Sequence, residues 1–198
     1  MSTVTKADRQ AWASARTLAD LGELTAQWVE GRIGSQPGYY GRSDIEDPAM
    51  IPVLAGLNRA GFVTTCSQAG HAGAAWEQCA AVEGFAGFPV AMVLQHAARE
   101  ADLDVVAHSP VRLPRWRYSY REAVIVTRRN GRPYTDFGCR LPRRHIRDSH
   151  LGYGACHRDA VAALEAAWQV TVIDPEWGRN DLLWDVLDAA LAGNGVAS

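Results

Sequence analysis

Two residue types that could do nucleophilic chemistry stand close together in the first half of this sequence. Cys66 and His71 are five residues apart, around the end of a short β-type segment. A thiol beside an imidazole can act as a nucleophile with its general base. A cysteine next to a strand is more often a small buried apolar side chain. Both interpretations stay open, and Cys66 and His71 are the first candidates for catalysis.

Other motifs that could carry chemistry are scattered or missing. A loose group of cysteines and histidines has spacings that match none of the usual zinc patterns, so we expect no metal. Its members are Cys139, His145, His150, Cys156 and His157. The sequence contains no glycine-rich phosphate loop after a strand and no nucleophile elbow. Dinucleotide-binding enzymes, P-loop enzymes and Rossmann-type methyltransferases are therefore disfavoured.

Positive charge is concentrated in one segment, residues 112–147. It holds eleven arginines: Arg112, Arg115, Arg117, Arg121, Arg128, Arg129, Arg132, Arg140, Arg143, Arg144 and Arg147. The segment could be a solvated face paired with acidic helices, or it could bind an anionic partner or nucleic acid. Prolines at 114, 133 and 142 interrupt it, so no single helix presents these arginines to a groove. We therefore expect no sequence-specific binding of nucleic acid.

The composition indicates a cytoplasmic protein that folds around its own core. Apolar residues make up 47% of the 198 residues, and seven of them are tryptophans. No apolar run approaches the roughly 18 residues that would span a bilayer, so we expect no membrane association. The polar N-terminal residues do not resemble a secretion signal. The four cysteines are too scattered to indicate a disulfide framework.

The order of periodic segments predicts one α/β or α+β domain. Asn130-Gly131 between two extended runs is a strong hairpin signal. Residues 76–88 could be strand or buried helix. We predict helices at 7–30, 47–58, 89–101, 158–168 and 181–191, and strands at 62–66, 103–107, 122–127, 133–137 and 170–173.

Three segments together resemble the C-terminal regulatory domain of eukaryotic methylenetetrahydrofolate reductase. Residues 57–68, LNRAGFVTTCSQ, are similar to that family's helix end and following strand, Asn-Arg-x-Gly to Leu-Thr-Ile-Asn-Ser-Gln-Pro. Residues 78–85, QCAAVEGF, and 172–177, VIDPEW, with 183–184, LW, match two further motifs in the same order. The resemblance covers about residues 17–192. It implies a regulatory-like domain at 17–198, with mixed β-sheets flanked by helices, and an N-terminal helical extension at 1–16.

In the eukaryotic enzymes this domain binds S-adenosylmethionine and inhibits a separate flavin-carrying barrel. The resemblance therefore implies a pocket for S-adenosylmethionine or S-adenosylhomocysteine, with no flavin. The positions that match family contact positions, or lie in the motifs around them, are Glu46, Asp47, Thr64, Ser67, Gln68, Thr127 and Thr135. Glu46 matches an acidic contact residue, and a carboxylate attracts a sulfonium. It is also a candidate catalytic acid.

The sequence departs from the family at several of these places. Asp47 replaces a family threonine, and the family's Asn-Ser-Gln-Pro becomes Cys66-Ser67-Gln68-Ala69. Thr127 and Thr135 align only loosely. We predict a stand-alone sensor of S-adenosylmethionine or its demethylated product that acts through a homodimer or a partner protein. The alternative is an enzyme, such as a lyase, cyclase or transferase, that consumes S-adenosylmethionine in the same pocket.

Overall fold

Helices and strands alternate along the chain, but they assemble into two separate sheets. The computed structural model describes residues 5–39, 41–44, 47–111, 123–148 and 153–193. Within these ranges the helices are α1 (Lys6–Ser14), α2 (Leu18–Val29), α3 (Met50–Arg59), α4 (Phe88–Glu100), α5 (Arg143–Asp148), α6 (Arg158–Ala166) and α7 (Leu182–Gly193). The strands are β1 (Phe62–Gln68), β2 (His71–Ala72), β3 (Trp76–Gln78), β4 (Ala81–Ala86), β5 (Asp104–His108), β6 (Val124–Arg129), β7 (Arg132–Phe137) and β8 (Trp168–Ile173).

The first sheet has the strand order β1-β4-β8-β5, and all its neighbours are antiparallel. The helix α4 joins β4 to β5, which run in the same direction, but β8 lies between them. The strands β4 and β5 with α4 therefore run as in a βαβ unit, but each of them pairs with β8, and both of these pairs are antiparallel. The expectation of mixed sheets is therefore wrong, and the fold is α+β in one domain.

The second sheet has the order β2-β3-β6-β7 and is also antiparallel throughout. The predicted hairpin is confirmed: β6 and β7 flank Asn130 and Gly131, whose φ angles are 50° and 73°. Two consecutive positive φ angles are the requirement of a two-residue type I′ turn, which Asn-Gly meets at low cost. The ambiguous segment at 76–88 forms two strands, β3 and β4, and the first residue of α4.

Apolar side chains on opposite faces of the first sheet enter different cores. Val82 on β4 and Val172 on β8 are fully buried in the core that α3, α4 and α7 cover. Phe85 faces the other way and packs with Trp12 of α1, Ile146 of α5 and residues of α2 and α6. Since successive strand residues point to opposite faces, both sides of this sheet are covered by helices. A third, smaller cluster joins the two sheets around Val126, Phe137 and Ile173.

The single helix expected at 7–30 is two helices in the structure. Thr17 and Asp20 form a capping box at the start of α2, in which the Thr17 hydroxyl accepts from the Asp20 N–H at 3.1 Å. The Asp20 carboxylate in turn accepts from the backbone N–H groups of Thr17 and Arg16. This reciprocal bonding satisfies donors that a continuous helix would have bonded internally. The predicted helix at 158–168 likewise ends at Ala166, because Trp168 begins β8.

Candidate functional site

A pocket of about 450 Å³ lies where the start of α3, the end of β1 and the second sheet meet. Its volume is in the range of roughly 300–1,000 Å³ that is typical of small-molecule sites. Charged, amide and aromatic side chains line it together. The lining residues are Asp47, Ala69, Gly70, His71, Trp76, Gln78 and Asn180.

Asn180 holds three parts of the pocket wall together. Its side-chain N–H donates to the Asp47 carboxylate at 3.0 Å, and its side-chain oxygen accepts from the Gly70 N–H at 2.8 Å. The Trp184 indole N–H lies 3.4 Å from the same oxygen. The segment before α3, the turn after β1 and the first turn of α7 are thereby fixed relative to one another. The bonds to Gly70 and Asp47 join positions more than 100 residues apart in sequence, so no local sequence motif predicts the role of Asn180.

The turn after β1 and the loop that carries Asn180 approach each other so closely that position 70 requires a glycine. A Cβ atom at Gly70 would lie 2.0 Å from the carbonyl oxygen of Arg179. Real contacts of a Cβ atom are essentially never that short, so a side chain here would push the Arg179–Asn180 backbone away. Gly70 therefore permits the short distance between the end of β1 and the loop that carries Asn180.

A buried ion pair fixes the loop that precedes Asn180. Asp174 is completely buried, and its two carboxylate oxygens accept from the Arg179 guanidinium at 2.6 and 2.7 Å. The Glu176 N–H donates to the same carboxylate at 2.9 Å. Such a bidentate pair is both strong and directional. We interpret Asp174 as a positioning residue, which orients the loop and hence the amide of Asn180.

The carboxylate of Asp47 faces the pocket, and within the described ranges this carboxylate has no cationic partner. One oxygen accepts from the Ala49 N–H at 2.9 Å, and the other accepts from Asn180. No arginine, lysine or histidine in those ranges forms an ion pair with it, and its side chain is half-buried. Neutral hydrogen bonds orient this carboxylate without neutralising its charge. It is consequently available to a cationic group of a ligand.

Gln68 and Thr127 are brought together directly behind the pocket. The Gln68 amide donates to the carbonyl oxygens of Cys79 and Val126 at 2.8 and 2.9 Å, and its oxygen accepts from the Thr127 hydroxyl at 3.1 Å. Both side chains are buried. They join β1 of the first sheet to β6 of the second. This connection supports the end of β1, after which Ala69 and Gly70 line the pocket.

Three further predicted contact residues lie away from the pocket lining. Thr64 is buried, and its hydroxyl accepts from the Asn58 amide at 2.7 Å, which closes the turn between α3 and β1. Ser67 lies half-buried on β1, opposite Val82. Thr135 is exposed on β7, the edge strand, opposite Thr127. Glu46 lies outside the described residues.

The proposed cysteine and histidine pair is divided between two places. His71 is exposed and lines the pocket, whereas Cys66 is exposed on β1 opposite Glu83 and is not among the lining residues. Burial raises the pKa of the Glu83 carboxyl, although the Gly138 N–H donates to it. Cys79, behind the pocket, is buried, and desolvation together with the Asp174 charge raises the pKa of its thiol to about 11. Cys79 is therefore a poor nucleophile at neutral pH.

Within the described ranges, no three side chains of histidine, cysteine, aspartate or glutamate gather where they could hold a metal ion. None of the helices in the same parts of the chain has the length and apolar character that a membrane crossing needs.

Residues 7–194 match the model of a family described as a domain of unknown function, DUF6919. The chain belongs to the DUF6919 family. The match begins in α1 and extends beyond the end of α7, so every described strand and the whole pocket lie within the DUF6919 region. No curated protein matches the sequence.

Proposed function

We propose that this DUF6919 domain binds a nucleoside that carries a cationic group, with S-adenosylmethionine as the ligand. The observation that carries the proposal is the shared pocket of Asp47 and Trp76. An indole ring stacks on a purine, at roughly 1–3 kcal/mol per base. An oriented carboxylate attracts a sulfonium or an ammonium, by about 4 kcal/mol for two charges 4 Å apart at an effective dielectric constant of 20.

The polar groups around these two residues suit the rest of such a ligand. Gln78 and Asn180 line the same pocket and carry amides. Gln78 is held close to the ring, because the Trp76 indole N–H donates to its side-chain oxygen at 2.5 Å. Amides both donate and accept, so they can bond to the edge of an adenine or to ribose hydroxyls. In this proposal the domain acts as a sensor, and the bound state is transmitted through a homodimer or a partner protein.

The charge of Asp47 provides the test. We expect Asp47→Asn to weaken binding of S-adenosylmethionine about tenfold or more, because the variant keeps the size of the side chain but loses the attraction to the sulfonium. S-adenosylhomocysteine, which has no sulfonium, should lose less affinity. Isothermal titration calorimetry of both ligands against both proteins measures this difference.

The matched control is Asp44→Asn, which removes an equal charge from an exposed position that does not line the pocket. It should bind as the unmodified protein does. An Asp47→Asn protein that binds S-adenosylmethionine with unchanged affinity would refute the role of this carboxylate. If the unmodified protein bound neither nucleoside, the proposed function itself would fail.

An enzyme is the second candidate, and the position of His71 favours it. An exposed imidazole in the wall of a pocket is the type of side chain that acts as a general base. A sulfonium is already an activated leaving group, so positioning and one base can suffice for its chemistry. Incubation with S-adenosylmethionine followed by mass spectrometry separates the two functions. Unchanged ligand supports the sensor, and a product that disappears in His71→Gln supports the enzyme.

A further inference from the structure

Most described arginines of the 112–147 segment are engaged by other residues. Arg128 stacks on the Trp177 ring at 4.3 Å, and Arg140 donates to the carbonyl oxygens of Ser109 and Val111. Arg143 and Arg147 lie 3.7 and 2.9 Å from the carboxylate of Glu165 on α6. These contacts fix the surface of the domain. The interpretation as a solvated face paired with an acidic helix therefore fits Arg143 and Arg147.

Two arginines of the β6–β7 hairpin differ from these. Within the described ranges, the side chains of Arg129 and Arg132 form neither a hydrogen bond nor an ion pair, and both residues are exposed. Arg129 lies directly opposite Trp76 on β3, and Arg132 lies directly opposite Arg129 on β7. Directly opposed residues of antiparallel strands point to the same face of a sheet. Trp76, Arg129 and Arg132 consequently form one row on the face that carries the pocket wall.

The hairpin that carries the arginines is held next to Trp76. The Asn130 N–H in the turn donates to the carbonyl oxygen of Ala75 at 2.9 Å. Tyr134 is bulged out of the β6–β7 register, and its ring packs edge-on against Trp76, with centroids 5.3 Å apart. The guanidinium of Arg129 lies 5.8 Å from the centroid of the Tyr134 ring. This contact keeps the positive charge of Arg129 next to the Tyr134 ring, and hence close to Trp76.

We infer that Arg129 and Arg132 form an anion subsite at the rim of the pocket, which binds an acidic group of the same ligand. The inference rests on the proposed function, and it specifies the ligand further. The ligand carries a cation that reaches Asp47, a flat ring that stacks on Trp76, and an anion that reaches the two guanidiniums. In S-adenosylmethionine this anion is the amino-acid carboxylate. Guanidinium groups bind carboxylates and phosphates with directed, charge-assisted hydrogen bonds.

The test compares S-adenosylmethionine with its decarboxylated form, which lacks the carboxylate but keeps the sulfonium and the ammonium. We expect the unmodified protein to bind the complete ligand about tenfold more tightly, because the decarboxylated ligand cannot form the charge-assisted hydrogen bonds to the arginines. Arg129→Gln and Arg132→Gln should each reduce or abolish this preference. Their affinity for the decarboxylated ligand should stay within about twofold of the unmodified protein's.

Arg144→Gln is the matched control, because Arg144 is an exposed arginine on α5, a helix that contributes no residue to the pocket or to the row of Trp76, Arg129 and Arg132. It should keep the preference for the complete ligand. Equal affinities of the unmodified protein for the two ligands would overturn the anion subsite while leaving the proposed function intact. Equal losses for both ligands in the glutamine variants would also overturn it, because the arginines would then only shape the pocket.

A phosphate is the other possible source of the anion. Adenosine and adenosine monophosphate are therefore titrated in the same series. Arginine-dependent binding of the monophosphate, without binding of S-adenosylmethionine, would support the anion subsite and refute the proposed ligand. If the unmodified protein bound none of the four compounds, both the subsite and the proposed function would be refuted.

Discussion

A chain that ends at Gln169 should fail to fold. Removing residues 170–198 takes away most of β8, which lies between β4 and β5 at the centre of the first sheet. It also removes α7, which packs in the largest core. The buried apolar side chains that are lost are Val170, Val172, Ile173, Leu183, Trp184, Leu187 and Leu191. At roughly 1.5–3 kcal/mol each, their burial is comparable to or larger than the 5–15 kcal/mol net stability of a typical domain.

Solubility, circular dichroism and thermal melting of the truncated protein measure this effect. Two point variants in α7 provide a graded comparison. Leu187→Ala should cost about 2–5 kcal/mol, because Leu187 is completely buried. Asp185→Asn, at an exposed position of the same helix, should change stability by less than about 0.5 kcal/mol. A truncated chain that remained soluble and melted cooperatively would show that residues 170–198 are not part of the domain core.

Arg179→Met should produce the second large effect, on stability and on the pocket together. Among the described residues, the variant leaves the completely buried Asp174 carboxylate with the Glu176 N–H as its one remaining donor. Removing one partner of this pair leaves the charge of the buried carboxylate uncompensated, so the free energy of unfolding should decrease. The melting temperature should fall by several degrees, since each kcal/mol shifts it by roughly 2–4 °C in a domain of this size. The loop that carries Asn180 should shift as well, so ligand affinity should decrease.

The double variant Asp174→Asn/Arg179→Met shows whether the stability lost in Arg179→Met comes from the unpaired Asp174 charge or from lost packing of the Arg179 side chain. Removing both charges should recover part of the stability lost in the single variant. Arg158→Met, at a side chain that is 91% exposed, should leave the melting temperature almost unchanged. A single Arg179→Met variant that melted like the unmodified protein would show that the ion pair does not fix this loop.

Local signals in the sequence predicted the elements that depend on neighbouring residues. The Asn130-Gly131 turn followed from the positive φ angles that these residue types tolerate, and the apolar spacing of α7 placed Leu183 and Leu187 in the core. The break between α1 and α2 depends on the side-chain bonds of Thr17 and Asp20. A capping box can be recognised from the residue types in a sequence, but the apolar spacing across residues 7–30 favoured one continuous helix.

The order of strands and the wall of the pocket could not be predicted in the same way. The position of β8 between β4 and β5 depends on pairing across more than 60 residues. Asn180 reaches the pocket only because Asp174 and Arg179 fix its loop and because Gly70 allows the close approach. Of the predicted contact residues, Asp47 lines the pocket, and Gln68 with Thr127 supports it from behind. These relations arise from tertiary packing, which one-dimensional periodicity does not encode.

A crystal structure of the protein grown with S-adenosylmethionine would show directly whether the pocket binds this nucleoside. We expect electron density in the pocket, with the adenine stacked on the Trp76 ring and the sulfonium within about 4–6 Å of the Asp47 carboxylate. The amino-acid carboxylate should lie at Arg129 and Arg132. Density for the nucleoside at another place on the domain would refute the role of this pocket. So would an empty pocket at a ligand concentration that saturates the protein in solution.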